Sequence, residues 1–259
     1  MQAHVLGCSG GIGQNLRTTS ILIDDYLLLD AGTGIGDLTL EKMLSIRHVL
    51  LTHAHLDHIA GLALMLASIY DEIVEPINLY APKPVLDVLK DHLFNWKIWP
   101  DFSQLPDTSN PCLKLNVLAE NTPTIIDEKY TVTPVLLGHT VASYAYIVQS
   151  NKSKICFCGD TGPTESLWQL FNKLNDIEHL IIEASYPNDS AVLAEQSGHY
   201  TPELLLNDLH KLHTYPKLHI HHIKPGCENI VKEQCNKLFT EFDLNILSRG
   251  ELLTLTSEK

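Results

Sequence analysis

Apolar positions come in short unbroken runs near the start of the chain, and only later do such runs alternate with stretches of helical spacing. A strand is predicted over 3–7, followed by a glycine-rich turn. Runs at 20–23 and 26–29, split by Asp24-Asp25, predict a hairpin. A helical pattern covers 37–45, a buried strand 48–52, and a strongly apolar helix 59–69. A strand at 77–81 and a proline-opened helix at 82–92 follow.

From 94 to 121 the pattern is irregular, aromatic and proline-bearing, which suggests a long functional loop or an insertion. Strands resume at 130–136, 143–149 and 154–158, the last two joined by a turn at Ser150-Asn151-Lys152. Helix 164–174, strand 179–183, helix 202–212, strand 217–221 and helix 228–239 alternate after that, with a final strand at 250–255. Each half therefore opens with hairpins and ends in alternating helix and strand. Two sheets faced by outer helices bury such a pattern, and no linker divides it, so one domain over 1–259 is expected.

Composition changes this picture in two ways. The formal charge of −13 argues against a broad basic surface for nucleic acid, although bound divalent cations would add positive charge locally. The six cysteines form no CxxC pair, which disfavours a zinc ribbon. No secretory signal or membrane-length apolar run is seen, so a cytoplasmic protein with reduced thiols is expected.

Gly7-Cys-Ser-Gly10-Gly11-Ile-Gly13 invites a dinucleotide-binding reading. That motif works only where the glycines open a helix, and here a hairpin pattern comes next. Tight backbone turns are the expected role.

The densest chemistry is at Thr52–Gly61, "THAHLDHIAG", directly after the strand at 48–52. His53 and His55 can aim at one cation while Asp57 and His58 aim at another. Imidazole and carboxylate ligands suit zinc, manganese or iron. A pair of cations can share a hydroxide and clamp an in-line displacement. The cluster needs further ligands, and His139, Asp160 and His222 each stand at a predicted strand end. Taken singly, each also reads as a surface histidine, an Asx turn or a polar strand terminus.

HxHxDH followed by His, Asp and His at strand ends resembles the metallo-β-lactamase superfamily. The opening "VLGCSGGIGQNLRTTSILIDDYLLLDAGTG" resembles that family's hairpins and Asp-Ala-Gly turn. The resemblance implies an α/β αββα sandwich, two mixed sheets face to face with helices outside. It implies that His53, His55 and His139 hold one metal, that Asp57, His58 and His222 hold a second, and that Asp160 bridges them. His219 and His221 are then packing or surface residues.

"HAHLDHIAGLALML", "FNWKIWPDF", "CGDTGP", "IIEASYPN", "SGHYTPELL" and "HIKP" resemble, in that order, the class II cyclic-nucleotide phosphodiesterases. The pattern departs at Ala142, where that family has proline. The family implies hydrolysis of the 3′ ester of 3′,5′-cyclic AMP or cyclic GMP by a hydroxide held on two divalent metals, zinc ahead of manganese or iron. Asp57 would orient that hydroxide. His199 would protonate the leaving oxygen, held cationic by Glu183.

Phe94, Trp96, Trp99 and Phe102 in the irregular segment are candidates for stacking on a purine, or else loop anchors. Asn188 is a candidate for sugar or phosphate contact, or else a turn residue, and Lys224 adds a positive charge nearby. The expected partner is a small cyclic nucleotide, with neither extended nucleic acid nor membrane, and a homodimer is compatible with the sequence. Two rival readings stand: a tRNA 3′-processing endonuclease of the same superfamily, and a metal-binding, non-enzymatic nucleotide-binding module.

Overall fold

The computed structural model describes residues 1–151 and 153–255. Among them, two seven-stranded sheets face each other. The first holds β1 (Gln2–Gly7), β2 (Ser20–Ile23), β3 (Leu27–Leu29), β4 (His48–Leu50), β5 (Ile77–Pro82) and β6 (Leu113–Leu118). The second holds β7 (Thr124–Ile126), β8 (Tyr130–Leu136), β9 (Tyr144–Ser150), β10 (Ser153–Cys158), β11 (His179–Glu183), β12 (Lys217–His221) and β13 (Leu244–Ile246). The last strand, β14 (Leu252–Thr254), returns to flank β1.

Both sheets share one plan. Three antiparallel pairings lead into three parallel ones, β14-β1-β2-β3-β4-β5-β6 in one and β7-β8-β9-β10-β11-β12-β13 in the other. This is the predicted sequence of hairpins followed by alternating elements, expressed twice.

Period-two side-chain geometry explains why the strands read as solid apolar runs. Ile21 and Ile23 of β2 enter the core between the sheets, while Leu22 faces the outer helices. Ile155 and Phe157 of β10 do the same on the opposite sheet, with Cys156 and Cys158 turned outward. Helices α1 (Leu40–Ser45), α2 (Leu56–Ile69) and α3 (Lys83–Val88) cover the first sheet through Met43, Leu62, Leu66 and Leu86. Helix α4 (Ser166–Leu174) covers the second through Trp168 and Phe171. Beyond it, α5 (Ala191–Ser197) lies at the rim, while α6 (Pro202–Leu209) and α7 (Glu228–Leu238) pack Leu205, Val231 and Cys235 on the same sheet. Each fully buried leucine or isoleucine contributes on the order of 1.5–3 kcal/mol. The αββα order is the one expected.

Several boundaries differ. The helix expected at 37–45 is a 3-10 turn, Thr33–Asp37, and then α1, capped by Thr39 whose hydroxyl accepts from Lys42 N–H. Helix α2 starts at Leu56, three residues before its apolar periodicity begins. The helix expected at 82–92 is α3 followed by a π-helical turn, Leu89–Leu93. Strands β6, β7 and β13 were not predicted, and each is a sheet edge with a single partner strand. Lys152, in the turn expected between β9 and β10, lies outside the described residues.

Candidate metal centre

Parallel strands deliver their C-terminal ends to one edge of a sheet. Register fixes which residues meet there. Glu183 at the end of β11 pairs with His221, so His222 emerges just beyond Glu183. Asp160 leaves β10 alongside, and the next backbone N–H, that of Thr161, donates to Glu183 Oε1 at 2.8 Å. From the facing sheet, β4 leads through Leu51 into Thr52 and His53, and α2 begins with His55 at its N-cap. His139 comes from the loop between β8 and β9.

Two groups result. His53, His55, His139 and Asp160 bring one ligand atom each within 4.8 Å of one another, and so do Asp57, His58, Asp160 and His222. Asp160 belongs to both. Its Oδ1 lies 3.2 Å from His58 Nε2, and its Oδ2 lies 3.2 Å from His222 Nε2 and 3.7 Å from His53 Nε2. Asp57 Oδ2 is 3.3 Å from His222 Nε2.

Hydrogen bonds at the outer nitrogens settle the tautomers. His58 Nδ1 donates to Asp30 Oδ2 at 2.7 Å. The Thr52 hydroxyl gives its only proton to the same oxygen at 2.8 Å, so it must accept from His53 Nδ1 at 3.0 Å. His139 Nδ1 donates to the Gly198 carbonyl at 2.7 Å. The Ser185 hydroxyl donates to Glu183 Oε2, and so accepts from His222 Nδ1 at 3.1 Å. Each of these four histidines therefore turns an unprotonated Nε2 towards the centre in its neutral form, as a metal ligand requires.

The centre also holds buried polar atoms without hydrogen-bond partners, His53 Nε2 and Asp160 Oδ1. Leaving such atoms unpaired costs roughly 1–3 kcal/mol each. A nitrogen- and oxygen-donor set of this kind fits divalent metal ions.

Electrostatics points the same way. Burial, helped by His58, pushes His53 well below the usual imidazole range, and burial likewise lowers His55 and His139. Those three offer lone pairs at neutral pH. Burial would raise Asp160 and Asp57, yet the neighbouring histidines outweigh it and keep both carboxylates ionised. At His58 burial opposes charge, but Asp160 and Asp30 prevail and raise its pKa, so a cation there competes with a proton.

Beside these lies a third group, in which Glu183 and His199 come together with His222. His199 Nδ1 lies 2.8 Å from Glu183 Oε1, and Glu183 is fully buried. The same carboxylate accepts from the backbone of Thr161 and Tyr200 and from Ser185. Burial works against its charge, but His199 holds its pKa below the usual value. Burial likewise works against charge on His199, and Glu183 outweighs it, raising the imidazole's pKa. The His199 ring lies 5.1 Å from that of His139 and 5.5 Å from that of His222.

Backbone geometry holds the pieces in place. His222 has φ +58°, a strained conformation pinned by its N–H to Cys8 O at 2.7 Å. Gly198, φ +69°, caps α5, and a Cβ there would meet His139 Nδ1 at 2.9 Å. The glycine-rich segment near the start opens no helix. A Cβ on Gly10 would meet the His222 carbonyl at 2.6 Å, so close backbone approach is its role.

The substrate-contact candidates fare differently. Phe102 is buried against Phe94 and Tyr70, which corrects its expected role, because a ring packed in the core has no free face for a base. Trp99 is half-buried, and its indole N–H donates to the Ala63 carbonyl at 3.0 Å. Trp96 is exposed. Asn188 accepts from Glu203 N–H at 3.0 Å, which secures the first turn of α6. His219 bonds to His179 at 3.0 Å, and His221 stacks on Phe157, so both are packing residues.

Asp30, Thr52 and Ser185 support the histidines and were not picked out from the sequence. The available signal was Asp30 ending an apolar run before Ala31-Gly32.

A family model described as cAMP phosphodiesterases class-II matches residues 39–231. The chain is 29% identical over 276 residues to a probable 3′,5′-cyclic-nucleotide phosphodiesterase of Yersinia pestis, spanning 85% of this chain and 77% of that one. A ribonuclease Z of Parasynechococcus marenigrum is 29% identical over 162 residues, 57% of this chain and 48% of its own. The crystal structure of unliganded yeast PDE1 superposes with a TM-score of 0.83 at 22% identity, covering 98% of this chain and 99% of that one.

Proposed function

The chain belongs to the class-II cAMP phosphodiesterases, and we propose from that premise that it hydrolyses the 3′ ester of a 3′,5′-cyclic nucleotide to the 5′-nucleotide. One observation carries the reading. The Glu183–His199 pair stands beside the carboxylate–histidine groups, with a protonatable nitrogen left over for a leaving oxygen.

In this reading His53, His55 and His139 hold one divalent cation, Asp57, His58 and His222 a second, and Asp160 both; zinc is the favoured metal, ahead of manganese or iron. Bound there, such ions neutralise the phosphodiester's charge and supply a nucleophilic water at neutral pH. Asp57, ionised and partly exposed, orients the attacking water. As the bond from phosphorus to O3′ breaks, His199 passes its Nε2 proton to that oxygen. Glu183 holds the imidazolium in place by its bond to Nδ1. General acid catalysis of this kind contributes typically ~10²–10⁴ in rate.

A tRNA-processing enzyme must grip a polyanion, and the formal charge of −13 runs against that. A binding module without turnover would have no use for the Glu183–His199 pair. We further propose that residues 1–259 form one hydrolase unit working in the cytoplasm, where its six free thiols stay reduced. No helix among the described residues is long and apolar enough to cross a membrane.

The test is to incubate zinc- or manganese-loaded protein with cyclic AMP, cyclic GMP, cyclic dinucleotides and pre-tRNA, and to identify each product. 5′-AMP or 5′-GMP is expected. A 3′-monophosphate would contradict proton delivery by His199, and cleaved pre-tRNA with intact cyclic nucleotides would favour the endonuclease.

A further inference from the structure

The glycine-rich stretch near the start of the chain does more than turn the backbone. Together with the end of β12, the start of α7 and the segment before β14, residues 8–17 enclose a cavity of about 170 Å³. It is distinct from the metal centre. None of the seven candidate ligands lines it, nor does Glu183 or His199, although His221 and Ile223, on either side of His222, both do. Its volume is below the roughly 300–1,000 Å³ of a site for a drug-sized ligand, so it encloses a small group and leaves anything attached to that group outside.

The lining is basic in an acidic protein. Among the 13 described residues that form it, Arg17, Lys232 and Arg249 are cations and only Glu228 is an acid, whereas lysine and arginine make up 18 of 259 in the chain. The carboxylates nearby already have donors. Glu228 accepts the Gly226 N–H at 2.9 Å, and Glu251 accepts from Asn245 Nδ2 at 2.8 Å and from the Ser248 N–H at 3.0 Å. Asp37 receives both arginines, Arg17 Nε at 3.2 Å and Arg249 Nη1 at 3.4 Å. Lys232 makes no hydrogen bond or ion pair to another described residue. Its ammonium protons, and the guanidinium N–H groups that Asp37 does not take, are left over. On the inner wall His221 is fully buried, and neither of its ring nitrogens has a partner among the described residues. Leaving a buried imidazole unpaired is costly.

Guanidinium forks and an ammonium charge around a small cavity match the oxygens of a phosphate group. We propose that this cavity is an oxyanion site for a phosphate group, held by Lys232 and the free N–H groups of Arg17 and Arg249, with His221 at its inner wall. The site abuts the backbone that sets His222. Cys8 O takes the His222 N–H at 2.7 Å, the Gly10 N–H donates to Ile223 O at 2.9 Å, and Cys8 and Ile223 both line the cavity. An anion seated there braces the pairing that carries a candidate metal ligand, without entering the centre. Nothing in this site depends on which ester the metal centre cleaves.

Titration calorimetry with inorganic phosphate, at an ionic strength held constant with chloride, tests the site on zinc-loaded protein and on protein freed of metal and chelator. Binding is expected in both forms, because the cavity needs no metal. Lys232→Ala and Arg249→Gln should each weaken binding to the metal-free form about tenfold, the loss of one charge-assisted contact. Lys83→Ala, which removes an exposed ion pair with Asp87, should bind phosphate as wild type does. Hydrogen exchange at residues 8–10 and 221–223 should slow when phosphate is added to wild type, and not when it is added to Lys232→Ala. Ribose 5-phosphate, titrated in parallel, separates the two sources of the group. Equal binding assigns the phosphate end of a larger molecule, weaker binding assigns the free ion, and either agrees with the site. Phosphate binding that vanishes with the metal would overturn it, as would binding that Lys232→Ala and Arg249→Gln leave unchanged.

Discussion

Asp30 accepts the Nδ1 proton of His58 at 2.7 Å with both side chains fully buried, and its other oxygen takes the Thr52 backbone N–H at 2.8 Å. Through Thr52 the same carboxylate also orients His53. One residue that faces no cation in the proposed scheme thus sets the tautomers of one ligand in each group. Asp30→Ala should weaken metal affinity by about 10–100-fold, the usual effect of removing an orienting partner. Metal titration followed by elemental analysis reads this directly, and unchanged affinity would show that packing alone orients the rings.

Asp160 sits between His53, His58 and His222 and is shared by both groups. Asp160→Ala should lower the metal content of purified protein itself, because its loss takes negative charge from both groups at once. Retention of two equivalents per chain would count against bridging.

For His199→Ala the expectation is the reverse: metal content unchanged, kcat lower by about 10²–10⁴. Glu183→Gln should also lower kcat, since the carboxylate that sustains the imidazolium is gone. Turnover and metal content measured on the same preparation separate the two effects. Loss of metal in His199→Ala would recast it as a ligand.

The aromatic segment gives a stability test. Phe102→Ala should cost about 3–5 kcal/mol, because the ring fills the core beneath α2. Trp96→Ala, at an exposed position, should stay within about 0.5 kcal/mol. Urea unfolding of both variants distinguishes an anchor from a surface residue.

Chelation should remove activity and lower the melting temperature together. At a free metal concentration a thousandfold above Kd, bound ions stabilise the fold by about 4 kcal/mol each. Zinc or manganese should restore both properties. Full activity after chelation, with no more than trace metal by elemental analysis, would end the case for metal chemistry.

The sheets were legible because strands buried on both faces must be apolar at every position, as at Ile21-Leu22-Ile23 and Leu27-Leu28-Leu29. Edge strands β6, β7 and β13 were not, since one-sided pairing allows exposed and polar positions such as Lys114 and Ile125. The start of α2 was misplaced for a related reason. Leu56 to His58 carry no helical periodicity, and that turn is held by contacts outside the helix, including His58 to Asp30.

By itself the sequence determined the family and the residues that gather into the two groups, because donor atoms of that chemistry at strand ends have few other uses. Only the tertiary structure decided the rest. Asp30, Thr52 and Ser185 take their roles from hydrogen bonds between segments distant along the chain, and those bonds alone fix which nitrogen of each histidine faces inward. Phe102 and Trp96 look alike in sequence, yet burial makes one a core residue and leaves the other in solvent. Local pattern records what a residue can do; its partners across the fold decide which of those things it does.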